Sequence, residues 1–415
     1  MIHRNLLLIA FLIVFFLRSG THLLLNRLNI SYLQRYGSDV PEVFQDTIDR
    51  EKLQKISAYT ADSARFGALS AFASQIFFLA VLLSGFLPWL VESIRHQGWG
   101  LIASGLVFFA SLGVLTNLFH IPFDLYDTFV IENRYGFNTR TFRLWLTDLM
   151  KSTALSALLS GFLLGLLLFL IVHGGKAWWF WAWVLLGMVE LLMIWLYPVI
   201  LAPLFNKFVP LDDPELAQRI GRLMEKAGLR VKGVFQMDAS KRSKHTNAYF
   251  TGLGRSKRIV LFDTLLQSHR AEEIEAVLAH EVGHWKKKHM LKQLVLVEGL
   301  SLIGFYILAQ LLDWRIIYET FGFRELLPYV GLLLVEALFT PLGYFARPAG
   351  SFFSRKMELE ADDFALQLLP SGEALANALK RLAADNLANL TPHPLYAWFY
   401  YSHPPLAERI LRLKK

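Results

Sequence analysis

The run His280-Glu281-Val282-Gly283-His284 places two imidazoles and a carboxylate where a metal-activated water could be held and deprotonated. At 3.6 residues per turn, His280 and His284 lie one turn apart on one helix face, close enough for both rings to bind a single Zn²⁺. Glu281 falls on the adjacent edge, out of line to be a third ligand from that helix but within reach of a proton on a water in the metal's open position. This is the chemistry of peptide-bond hydrolysis, and it needs a further ligand from elsewhere in the chain.

A second acidic helix offers one. Residues 354 to 365 read as helical, with Glu358 and Asp362 projecting from one face at i and i+4. Two like charges one turn apart repel at a solvated surface, whereas beside a cation both have a use. Glu358 completes a His₂Glu set that leaves the fourth position for water. Asp362 is placed to accept a hydrogen bond from a ligating imidazole and fix its tautomer. The expected cofactor is therefore one Zn²⁺ per chain. The chain has no cysteine, which excludes a thiol nucleophile and any disulfide.

The elements that must position these residues include a membrane bundle. At 54% hydrophobic and 14% aromatic residues, with a mean hydropathy of +0.38, the chain is too apolar for a soluble enzyme. The excess lies in seven runs near the roughly 20 residues a bilayer requires, at 5–25, 66–91, 99–119, 153–173, 178–200, 291–312 and 326–345. The first run is followed by no small-x-small cleavage pattern and reads as a retained span. Trp178, Trp179, Trp181 and Trp183 open the fifth, where indoles suit the interface. Three acids inside the spans, Glu190, Glu298 and Glu336, suggest a wet interior shared by the bundle.

Basic residues orient this bundle. With the N-terminus outside, the outer connections carry only Arg95, Lys176, Arg315 and Arg324. The opposite side receives Arg27, Arg35, Arg50, Lys52, Lys55, Arg134, Arg140 and Arg143, together with most of the basic residues of 206–290 and of the tail. By the positive-inside rule, the catalytic segments face the cytoplasm. The net charge of +8 then suits anionic lipid headgroups and gives no reason to expect nucleic acid as a partner.

The chain divides into 1–205 with five spans, a cytoplasmic insertion at 206–290, two further spans at 291–345, and a helical tail at 346–415. In the insertion, Asp213 to Gly228 reads as an amphipathic helix with Leu216, Ile220, Leu223 and Met224 on one stripe. Short β-prone runs at Val231–Met237, Asn247–Gly252 and Ile259–Phe262 predict a small sheet against the metal helix. That helix starts near Ala271, with Glu272, Glu273 and Glu275 favouring its N-terminal end. Lys286 to His289 reads as its solvated, cytoplasm-facing end.

Taken together, the motifs resemble the M48 metallopeptidases. HExxH with ExxAD marks the family. Glu132-Asn133-Arg134-Tyr135-Gly136-Phe137-Asn138, Pro203 to Phe208, Asn247 to Gly252 and His403-Pro404-Pro405 are similar to its Ste24-type CAAX prenyl proteases, in the same order. The resemblance implies a mostly α polytopic membrane fold of about seven helices around a wet cavity, with a small α+β zinc-peptidase insertion. It implies substrate binding at a strand edge formed by Asn247, Ala248 and Tyr249. It also brings His403 and Arg409 to the catalytic centre, where they would donate hydrogen bonds to the oxyanion. The implied partners are the lipid bilayer and a peptide or protein substrate, prenylated or unprenylated, that is cleaved near its C-terminus. The membrane would be the inner membrane of a bacterium or the endoplasmic reticulum of a eukaryote. The alternatives are an HtpX-like quality-control endopeptidase and, in another class, an inactive scaffold or transporter with a structural zinc.

Overall fold

A computed structural model describes residues 2–252 and 258–414. Among these residues, seven helices are long and apolar enough to cross a membrane, and they correspond one for one to the seven apolar runs. Most continue past the hydrocarbon. The first, Leu6–Tyr36, has 31 residues where the apolar run ends near residue 25. The second, Arg50–Leu83, stops short of the expected residue 91. Gly85 there adopts φ +85, and a separate amphipathic helix, Phe86–Arg95, buries Leu87, Leu90, Val91 and Ile94. The left-handed glycine lets that short helix fold back into the core where a straight span would have carried those side chains outward.

The seventh helix, Pro328–Leu368, has 41 residues, about 60 Å at 1.5 Å per residue and roughly twice a hydrocarbon thickness. The chain therefore has no break at residue 345: one rod carries both the last apolar run and Glu358. The apolar face of the bundle packs Phe11, Leu82, Phe108, Leu168, Tyr318 and Leu334 together. Leu158, Phe162, Met188 and Leu300 point outward, as a lipid-facing surface requires. At the end remote from the metal residues, the His3 backbone N–H donates to the Thr320 carbonyl at 3.0 Å, and Arg95 pairs with Glu325 at 2.8 Å. The N-terminus, the connection between the second and third spans and that between the sixth and seventh thus share one side.

Of the three intramembrane acids, only two come together. A Cβ built on Gly187 would lie 3.0 Å from Glu298 Oε1, which sets Glu298 one helical turn from Glu190 on the neighbouring fifth helix. Glu336 stands apart on the last helix and is exposed.

The insertion folds as expected around its amphipathic helix, Pro214–Lys226, which Asp213 caps by accepting from the Leu216 N–H at 2.9 Å. Among the described residues the sheet has four strands, one more than the β-prone runs predicted: β1 (Phe208–Pro210), β2 (Gly233–Met237), β3 (Ala248–Thr251) and β4 (Arg258–Phe262). The order is β1-β2-β4-β3, with β2 and β4 parallel and both outer pairs antiparallel. β1 escapes sequence reading because it is three residues long and ends on a proline, tolerated only at an edge. Ile220, Ile259, Leu261, Leu278, Val282, Ala365, Leu375 and Ile410 form one core that joins insertion, metal helix and tail. Arg242 clamps the insertion to the fourth helix through paired bonds to Asp148 at 2.8 and 2.9 Å. His245 reaches Glu132 at 3.2 Å, where the third span ends in a π-helical turn.

Candidate active site

The metal helix, Ala271–Lys286, starts at a capping box in which Glu273 accepts from the Arg270 N–H at 2.8 Å. It crosses the long seventh helix at very short range. A Cβ on Gly283 would lie 2.7 Å from the Ala361 carbonyl oxygen and 2.8 Å from its Cα, so only glycine permits this approach. The crossing brings His280 and His284 of one helix onto Glu358 of the other.

Three side chains converge at that point. His280 Nε2 and His284 Nε2 are 3.1 Å apart, and each lies 3.3 Å from an oxygen of Glu358. These three residues each offer one ligand atom within 4.8 Å of the others. The outer nitrogen of each ring is engaged elsewhere: His280 Nδ1 with Asp362 at 2.8 Å, His284 Nδ1 with His289 at 3.0 Å. Both Nε2 atoms are thereby turned on the carboxylate. Burial alone would depress the His280 imidazole, but its bonds to Asp362 and Glu358 outweigh this and raise it to about 9. A divalent ion entering between the three groups would displace that proton, and the two-nitrogen, one-oxygen set fits a catalytic metal with an open fourth position.

Glu281 is half-buried beside this set, and burial pushes its carboxyl up toward the range of a working base. Asp362, 1% exposed, takes a fork of two bonds from Arg409, at 2.9 and 2.7 Å, in addition to His280. Arg409 is itself buried, with Nη1 3.6 Å from Glu358. Nε and Nη2 of Arg409 are taken up by Asp362, and Nη1 is the guanidinium nitrogen that faces Glu358.

His403 sits differently. Its Nδ1 is 2.8 Å from Glu358 Oε2, and its side chain is 59% exposed on the open side of the site. Arg355, one turn before Glu358 on the same helix, holds the preceding segment by donating to the carbonyls of Tyr401 at 2.8 Å and Trp398 at 3.1 Å. No motif pointed to Arg355. Its signal is the i, i+3 spacing from Glu358.

Among the described residues β3 is an edge strand, bonded only to β4, and it packs against the metal helix. Asn247 precedes it, exposed, and Ala248 is buried in the main core. The Tyr249 ring packs on Phe262 in a separate small cluster. What the edge leaves available is backbone. His289 departs from expectation: only 2% exposed, it folds back under the metal helix, because the chain reverses at Lys288.

Residues 29–207 match the family described as CAAX prenyl protease N-terminal, five membrane helices, and residues 210–415 match peptidase family M48. The chain is 34% identical over 379 residues to the CAAX prenyl protease 1 homolog of Arabidopsis thaliana, covering 89% of each. The chain belongs to the CAAX prenyl protease branch of the M48 peptidases. It is 35% identical over 413 residues to CAAX prenyl protease 1 of Saccharomyces cerevisiae, covering 92% of this chain and 90% of that one. The crystal structure of S. mikatae Ste24p superposes with a TM-score of 0.90 at 33% identity, over 98% of this chain and 99% of that one. This M48 protein is thus a multi-pass membrane metallopeptidase, which disposes of the scaffold and transporter readings.

Proposed function

We propose that the chain is a zinc-dependent endopeptidase, with its active site on the cytoplasmic side, that cleaves prenylated proteins or peptides near the C-terminus. The observation that carries the chemistry is the convergence of His280, His284 and Glu358 from two separate helices, each imidazole held by its outer nitrogen. Zinc, a borderline-soft ion, suits a set of two imidazole nitrogens and one carboxylate oxygen. When bound, it supplies a Lewis acid for the scissile carbonyl and makes water acidic enough to ionise near neutral pH.

The chain's own residues do the rest. Glu281 removes the proton from the attacking water and returns it to the leaving amine. His403, on the open face, donates a hydrogen bond to the oxygen that gains charge as the carbonyl becomes tetrahedral. An extended peptide adds to the free side of β3, so that Asn247, Ala248 and Tyr249 hold it through backbone groups. Asp362 and Arg409 keep His280 in its ligating orientation.

Glu358 lies beyond the apolar end of its helix by about 20 Å. A soluble tail attached to a bilayer-embedded lipid can span that gap. The prenyl group would concentrate the substrate in the membrane, and a single chain binds reversibly enough for release. The excess of basic residues in the loops on the side of the metal helix supports the cytoplasmic assignment.

The test uses the purified full chain in lipid vesicles with a farnesylated CAAX peptide, its unprenylated counterpart, and a zinc chelator. The expected outcome is at least tenfold higher kcat/KM for the farnesylated peptide, carried mainly by KM, abolished by chelation and restored by added Zn²⁺. Equal cleavage of both peptides would refute the lipid preference while leaving the peptidase. Cleavage that persists through chelation would refute the metal.

A further inference from the structure

We propose that His289, held by Glu360, is the positioning residue that fixes His284 as a ligand through Nε2. The inference rests on the metal reading above but concerns His289, which lies outside HExxH, and Glu360, which fills a variable position of ExxAD. His289 begins the sixth span helix, His289–Leu312, yet its ring is turned away from the bilayer and buried against the metal helix. The turn that puts it there is unusual. Lys288 adopts φ 56, ψ 37, a left-handed conformation that side chains other than glycine seldom take, and its N–H donates to Trp285 O at 3.0 Å.

The direction of each hydrogen bond follows from the carboxylate end. Glu360 Oε2 lies 3.1 Å from His289 Nε2 and 3.6 Å from Lys292 Nζ, and an ionised carboxylate can only accept. His289 Nε2 therefore carries the hydrogen, which leaves Nδ1 of the neutral ring as an acceptor. Its neighbour at 3.0 Å is His284 Nδ1, which must then be the donor. With its hydrogen on Nδ1, His284 presents the Nε2 lone pair to the space it shares with His280 and Glu358. This reproduces, with an extra imidazole interposed, what Asp362 does directly for His280. Each imidazole ligand thus has its own carboxylate-backed support, and both carboxylates come from the helix that supplies Glu358.

A histidine that merely fills space would give the same burial but not the same response to substitution. The experiment measures Zn²⁺ affinity by chelator competition on the purified full chain, wild type beside His289→Leu and His289→Gln, with thermal unfolding of each metal-free protein. Leucine keeps the packing without an acceptor, whereas glutamine offers a carbonyl oxygen to His284 Nδ1–H. His289→Leu is expected to weaken Zn²⁺ binding tenfold or more at an unchanged metal-free unfolding temperature, and His289→Gln to recover most of the loss. Unchanged affinity in His289→Leu, or a glutamine variant as weak as the leucine one, overturns the proposal. Should the leucine variant not fold, Glu360→Ala at the partly exposed end of the relay is expected to weaken Zn²⁺ binding several-fold, and unchanged affinity there overturns it equally. Wild-type protein that binds no Zn²⁺ would instead sink the metal reading itself, so the two failures are distinct.

Discussion

Glu281→Gln is expected to reduce kcat about a thousandfold, equivalent to about 4 kcal/mol of barrier, while Zn²⁺ stays bound at full stoichiometry. Glutamine preserves the size of the side chain and its place on the edge of the metal helix, but it cannot take a proton from water. It is not one of the three converging ligands, so the metal set is left intact. KM should move little, because the residue acts on the water and not on the peptide. Measured with a cleavable peptide beside zinc analysis of the same preparation, the result separates the base from the ligands. Retained cleavage in this variant would mean that another group activates the water.

Gly283→Ala is expected to cost more than its single methyl suggests. The added Cβ would meet backbone atoms of Ala361, at 2.7 and 2.8 Å, and backbone cannot swing aside as a flexible side chain can. The two helices must then separate by several tenths of an ångström where His280 and His284 face Glu358. A metal set tolerates about 0.2 Å of such error. Loss of Zn²⁺ affinity by about a hundredfold or more is expected, with a stability loss of about 1–3 kcal/mol from overpacking. Ala361→Gly should not rescue it, since the clash is with main chain. Gly299→Ala, whose Cβ would meet nothing within 4 Å, serves as the harmless control. Normal zinc affinity in Gly283→Ala would show that the crossing is not what aligns the ligands.

The same crossing explains what could and could not be read from the letters. His280, His284, Glu358 and Asp362 were legible because helical spacing alone places each pair on one face. The spans were legible because a bilayer demands length and apolarity together. Helix ends were not, since the helices run on into water where hydropathy no longer reports them. Pro328–Leu368 is one rod although its composition changes midway. His289 was hidden for a different reason. In sequence it follows three lysines and looks solvated, and only the reversed turn at Lys288 buries it. Arg409 was found near the site but with its donors turned to Asp362, because spacing from His403 carries no information on which way a guanidinium points. Gly283 looked like filler inside a motif, and its importance depends wholly on a helix some eighty residues away.

The most direct test of the account is a crystal structure of the purified chain with diffraction data collected on both sides of the zinc absorption edge. A single anomalous peak is predicted per chain, about 2.0–2.2 Å from His280 Nε2, His284 Nε2 and a Glu358 oxygen, with no fourth protein ligand. A catalytically active preparation with no peak there, or with the ion held by other residues, would contradict it.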